Sequence, residues 1–453
     1  MFALILLLAC GESAPIDTST AEVDTGEDPG DTAEIEDTDP VLPDVPELYS
    51  RLLAIEGLRI LSTYAAAEDV TVVEIMLRQP VDHAAPDGPS FEQWMTLRHR
   101  SFEAPTVLEF SGYSNYWGPT ELEAAFFLEG NQIAIEKRYY NVSRPEGEVD
   151  WSTFNAEQFA GDAHRVRELL GALYVGNWVS EGGSQGGLDA LYHRLYYPDD
   201  VVGTVALSVP LMQSLEDPRA VDYFDDPVRA DCQARLEEIR RLLLTPDFAG
   251  GLRESAVARS EAWFPDYTFE RVGSRQADVG MYAVEFPWAF WQYYWEGACE
   301  ALPDPVTAPA DALSWGMSYY GADHSDQVLE ESGQYWIHVS SQTGYPVVPL
   351  DGIEHLVDPE WPAYYELLPL GAEPQPYAPL EPAIQAWIDD EARNVLFLYG
   401  DVDPLARFPA DVSDADASVR LFRQPDSNHN VWPSASEPED WAVIAGVLAD
   451  WAE

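Results

Sequence analysis

The sequence predicts an α/β protein, a mainly parallel sheet covered on both faces by helices and interrupted by a large, mainly helical insertion. Three observations carry this expectation. Short apolar strand-like runs alternate with helical segments through residues 48–210, the alternation stops for about 170 residues, and it then resumes to the C-terminus. With 453 residues and a hydrophobic fraction of 46%, the chain can bury one or two substantial cores.

Taken in order, residues 1–10 form an apolar run too short to span a bilayer but fitting an export signal, which ends in Leu7-Leu8-Ala9-Cys10. That ending is similar to a bacterial lipobox, in which Cys10 becomes the lipid-bearing N-terminus. No Lys or Arg precedes the run, and Leu8 is bulkier than usual for its position. Residues 11–47 are mostly Asp, Glu, Thr, Pro and Ala, without a single base. Such a segment cannot bury enough apolar surface to offset its ordering entropy, so we expect an acidic tether with a coil span of about 30–35 Å. The layout implies an exported protein of the bacterial cell envelope or the extracellular space, held to a membrane by its N-terminal lipid.

Strands are expected at Val70–Leu77, Phe91–Arg100, Thr106–Phe110 and Gln132–Glu136, followed by a helix over Asn155–Leu173. Trp178–Glu181 leads into a helix at Gly186–Tyr197, and Gly203–Pro210 is the next strand. Residues 211–382, rich in proline and aromatics, read as an inserted cap. Residues 383–453 return to the core with strands at Asn394–Gly400 and Val419–Arg423 and a last helix at Pro438–Trp451.

The net charge of −56 repels phosphate backbones and anionic headgroups, which argues against nucleic acid as a partner. Its plain reading is a solvated acidic surface; the sharper one is attraction of cationic substrates.

Chemistry concentrates at Gly182-Gly183-Ser184-Gln185-Gly186-Gly187, a G-x-S-x-G between a predicted strand and a predicted helix. A serine on so sharp a turn needs neighbours without a Cβ, because strand and helix approach closely there. The expected fold is therefore an α/β-hydrolase core with a large, mainly helical inserted cap. In that fold the acid follows a late strand and the base comes last. The strand Asn394–Gly400 runs into Asp401-Val402-Asp403-Pro404, and His429 is the histidine that lies beyond it. Ser184 is thus the expected nucleophile and His429 the base. Asp401 and Asp403 compete for the acid, with Asp403 favoured because it stands past the strand, in the turn. The oxyanion donors should be the amide of Gln185 and one from Gly112 or Tyr113, in the turn after Thr106–Phe110. No metal is expected, since the other histidines show no paired ligand spacing. The acyl-transfer chemistry needs no cofactor.

Further runs carry a resemblance. They are Gln79-Pro80-Val81-Asp82-His83, Glu136-Lys137-Arg138-Tyr139-Tyr140, Ser143-Arg144-Pro145, Asp150-Trp151-Ser152, Tyr192-His193-Arg194, Tyr197-Pro198-Asp199-Asp200-Val201, Phe290-Trp291-Gln292-Tyr293, Asp401-Val402-Asp403-Pro404 and Asn428-His429. Together they resemble the secreted prolyl tri- and tetrapeptidyl aminopeptidases, a family of serine peptidases. The resemblance implies Ser184, Asp403 and His429 as the triad, a peptide substrate with a free N-terminus, and a pocket for proline. Gln185, in place of a lysine, and Asp401-Val402, in place of Glu-Asn, depart from that pattern. Trp288 and Trp291, in the aromatic run Phe286–Trp295, are candidates for the proline pocket. Glu136 is a candidate for the substrate's ammonium group, with the alternative that it pairs with Arg138 or Arg144. A carboxylesterase or lipase using the same triad is the competing reading. In an oxidising compartment Cys232 and Cys299 should form a disulfide within the cap.

Overall fold

The computed structural model describes residues 46–453 other than 68, 117 and 296. The Cys10 expectation and all but the last residues of the tether lie outside these.

Helix α1 (Pro46–Leu53) turns Leu48 and Leu52, one helical turn apart, into the core. Strands β1 (Leu58–Ala67), β2 (Val70–Pro80) and β3 (Ser90–His99) follow, then β4 (Thr106–Phe110), helix α2 (Glu123–Phe127) and β5 (Asn131–Ile135). Helix α3 (Ala156–Gly171) starts at Asn155, whose side chain accepts a hydrogen bond from the Gln158 amide and so satisfies one of the helix's first donors. Strand β6 (Trp178–Gly183) is separated by Ser184 alone from helix α4 (Gln185–Tyr196), and β7 (Gly203–Leu207) completes this half.

Among the described residues nine strands form one sheet, in the order β1-β2-β3-β5-β4-β6-β7-β8-β9, with β8 (Val395–Gly400) and β9 (Val419–Gln424) contributed after the cap, while Glu216–Asp217 and Tyr345–Pro346 make a separate two-stranded pair. The β1-β2, β2-β3 and β3-β5 pairs are antiparallel, and every pair from β5 to β9 is parallel. Every residue of β4, β5 and β8 is buried, as strands covered on both faces require. One face packs Leu97, Leu108 and Ile133 under Val166 and Leu170 of α3. The other packs Val107, Val179, Val205 and Leu396 under α2 and the C-terminal helix, which spans Pro438–Ala452.

The cap lies between β7 and a helix at Glu381–Asp390 that returns the chain to β8. Its frame is α5 (Ala230–Leu244), α6 (Arg253–Trp263) and α7 (Arg275–Gln292). Helix α7 is buried continuously from Ala277 to Gln292, which is the physical reason for its aromatic richness. Cys232 on α5 is joined by a disulfide to Cys299, with Cα atoms 5.3 Å apart.

Candidate active site

Ser184 occupies a strained backbone conformation, φ 54° and ψ −119°, between the end of β6 and the start of α4. Its amide donates to the Leu207 carbonyl at 2.7 Å, which ties the elbow to β7. The flanking glycines are needed for space: a Cβ at Gly182 would lie 2.3 Å from the Gly186 carbonyl oxygen, and one at Gly186 would lie 2.1 Å from that of Phe110. Beneath α4, the buried Lys137 Nζ meets Asp189 Oδ1 at 2.9 Å.

Asp403 follows β8 and caps a short 3-10 turn, its Oδ1 accepting from the Leu405 amide at 3.0 Å. Its Oδ2 lies 2.7 Å from His429 Nδ1, and both residues are buried. Asp401, the competing candidate, points to the surface, where Arg423 donates to its Oδ1 at 3.4 Å. The His429 loop is held from two sides: Ser208 Oγ donates to the His429 carbonyl at 2.8 Å, and the His429 amide donates to the Gln292 carbonyl, at the end of α7, at 2.9 Å. Nε2 of His429 has no hydrogen-bond partner among the described residues. Ser184 and His429 line one cavity of about 210 Å³.

The expected oxyanion turn packs directly on the elbow. Gly112 has φ +73°, and a Cβ on it would come within 2.4 Å of the Gly186 amide nitrogen. Tyr113 and Gln185 line, with Ser184, a second and smaller space of about 20 Å³ that also touches Met212, Tyr335 and Pro346.

Two expectations are corrected. Trp288 and Trp291 line neither space, because α7 is buried all round and its indoles pack into the cap core, where Trp291 Nε1 donates to Gln233 Oε1 at 2.7 Å. Glu136 pairs with neither Arg138, which meets Asp162 at 2.6 Å, nor Arg144, which meets Glu330 at 2.9 Å. Its oxygens instead accept from the Asn115 amide at 3.2 Å and from the Ser143 amide and hydroxyl at 3.0 and 2.5 Å. Burial pushes its carboxyl up to about 7, against the pull of those donors. One donor thus reaches Oε1 and two reach Oε2, so Glu136 is held by the Asn115 and Ser143 turns and not by an arginine.

Sequence reasoning passes over Glu109 and Glu181, which line the larger cavity from adjacent strands. A signal for them exists, since a carboxylate inside the apolar runs of β4 and β6 has no packing purpose.

The sheet order, the elbow serine and the buried histidine–aspartate pair define an α/β-hydrolase, and with it a serine hydrolase. The chain belongs to the PS-10 peptidase S37 family, whose model matches residues 41–453. It is 30% identical over 417 residues to the prolyl tri/tetrapeptidyl aminopeptidase of Streptomyces mobaraensis, covering 90% of this chain and 85% of that one. It is also 30% identical over 151 residues to the thymus-specific serine protease of Mus musculus, covering 30% of each chain. Among solved structures, the proline iminopeptidase of Mycobacterium smegmatis aligns with a TM-score of 0.41 and 13% identity, over 83% of this chain and 98% of that one.

Proposed function

We propose that this hydrolase is an exported serine exopeptidase that releases tri- or tetrapeptides from free N-termini, with a preference for proline at the cleavage position. The observation that carries the chemistry is the His429 Nδ1–Asp403 Oδ2 contact of 2.7 Å, in a histidine that lines one cavity with Ser184 and whose Nε2 has no partner among the described residues. Asp403 fixes the tautomer in which Nε2 accepts the Ser184 proton. The resulting alkoxide attacks the scissile carbonyl, the amides near Gln185 and Tyr113 meet the developing charge, and His429 passes the proton to the leaving nitrogen. Water then takes the place of the leaving amine and releases the peptide.

The choice of peptide over ester, and of the N-terminus, rests on kinship with the Streptomyces aminopeptidase, whose name states that activity. A free N-terminus calls for a carboxylate on the cap side of Ser184. Glu285, buried on α7 with its Oε1 accepting from the Tyr345 hydroxyl at 3.0 Å, is the candidate for that role. Export and anchoring through Cys10 complete the reading, and Cys10→Ser should release the protein from membranes.

The test is one peptide offered with a free and with an acetylated N-terminus, followed by mass spectrometry. Selective loss of cleavage on acetylation is expected. Equal cleavage of both forms would overturn the exopeptidase reading.

A further inference from the structure

Ser184 borders two spaces, and they differ in which triad member reaches them. The smaller one is bounded by Tyr113, Gln185 and cap residues such as Tyr335 and Pro346. The larger, of about 210 Å³, is bounded by His429 and the loop that follows it to Trp432. His429 lines the larger space and not the smaller. Because the base that took the serine proton must return it to the leaving nitrogen, the segment released first lies over the larger space. The acyl half of the substrate then lies under the cap.

The floor of this larger space is chemically odd. Glu109 of β4 and Glu181 of β6 are direct partners in the parallel register, so their side chains leave the sheet together on one face. On that face, one pleat earlier, stand Val107 and Val179, the residues expected in a covered strand. Both carboxylates are buried, with Glu181 2% exposed. Gln132 Nε2 donates to Glu109 Oε2 at 2.6 Å and the Ala124 amide donates to Glu181, yet Glu181 Oε2 has no partner among the described residues. Neither forms an ion pair among the described residues, and Arg98 is engaged with Glu121 at 3.4 Å and with the Pro119 carbonyl at 2.8 Å. Burial and the neighbouring Glu123 push Glu181 up to about 8, and burial and Glu181 push Glu109 well above the carboxylate range. An unsatisfied buried acid is costly, and such groups persist where a ligand completes them.

The walls complete the match. Phe110, Leu122, Leu207, Val431 and Trp432 line the same cavity as Ser184 and the two acids. An apolar lining that includes two buried acids fits a side chain with an aliphatic stem and a cationic head.

We propose that this cavity receives the side chain of the residue just after the scissile bond, and that Glu109 and Glu181 select lysine or arginine there. The inference rests on the peptidase reading and adds to it a specificity that the family's activity does not state.

The experiment compares four peptides that share one cleavable N-terminal half. They carry lysine, methionine or Nε-acetyl-lysine after the scissile bond, and the lysine peptide is also made with an acetylated α-amino group. For the wild-type enzyme, kcat/KM for lysine should exceed that for methionine and for Nε-acetyl-lysine by at least about tenfold. Glu181→Gln and Glu109→Gln should each bring the lysine-to-methionine ratio towards one. Equal wild-type rates for lysine and methionine would overturn the pocket while leaving the peptidase reading intact. Absence of cleavage of all the peptides would overturn both. A third losing result is that Glu181→Gln abolishes discrimination between the free and acetylated α-amino groups while the lysine ratio persists, which would assign the pair to the N-terminus instead. The wild-type comparison decides the matter even if a glutamine variant fails to fold.

Discussion

His429 Nδ1 is 2.7 Å from Asp403 Oδ2, while the Asp401 carboxylate in the same turn meets Arg423, at 3.4 Å and at the surface. Asp403→Asn should therefore lower kcat by about 10⁴, because the amide favours the wrong imidazole tautomer. Asp401→Asn should stay within about threefold of wild type, as surface changes do. Ser184→Ala should cost at least about a thousandfold with an unchanged melting temperature, and adding His429→Ala should cost little more. Steady-state kinetics on one peptide substrate checks all four variants, and near-normal turnover by Ser184→Ala would remove the assignment.

Gly112→Ala should damage both stability and activity. The new Cβ would sit 2.4 Å from the Gly186 amide nitrogen, and the position already needs φ +73°. Strain of this kind costs about 1–3 kcal/mol and would push the oxyanion turn off the elbow. Thermal unfolding and kcat should fall together; a wild-type melting temperature would show that the turn has slack.

In a Cys10→Ser background, the unfolded but unreduced protein should show no free thiol, because Cys232 is bonded to Cys299. The bond closes a loop spanning 67 positions, worth roughly 4 kcal/mol on chain-entropy grounds. Replacing both cysteines by serine should lower the unfolding temperature by a matching amount, and two reactive thiols in the parent would refute the pairing in solution.

His99 supplies a pH dependence. Its ring is buried, with Nδ1 3.0 Å from the Tyr174 hydroxyl, and burial lowers its pKa from 6.5 to about 4. The unfolded chain thus binds a proton in that interval that the native state refuses, so stability falls as pH drops from 6.5 towards 4. His99→Gln should make that part of the stability curve shallower in denaturant titrations. An unchanged slope would show that other groups set it.

The parallel strands are legible in the sequence because their two buried faces leave largely apolar runs such as Val395–Gly400 and, but for Glu109, Thr106–Phe110. Strand β1 is not, since it borders the sheet and exposes most of its side chains, so no alternation marks Leu58–Ala67. Helix α1 begins beside an acidic stretch whose composition hides it. At the site, the elbow and the order serine, acid, histidine can be read from spacing, but choosing between Asp401 and Asp403 requires knowing which way the turn faces. Trp288 and Trp291 mislead for a different reason: aromatic density marks burial equally well in a pocket wall and in a helix wrapped on all sides.

The anchoring of the His429 loop has a mechanical consequence. The Gln292 carbonyl holds the His429 amide at 2.9 Å, and the Tyr294 carbonyl holds Asn428 Nδ2 at 2.7 Å, so the C-terminal end of α7 grips the segment that presents the imidazole. That helix is the buried spine of the cap, so the cap and the His429 loop are tied together. A displacement of that end of α7 would therefore carry the His429 loop with it. Hydrogen exchange should accordingly show the His429 amide and the last turn of α7 opening at one common rate.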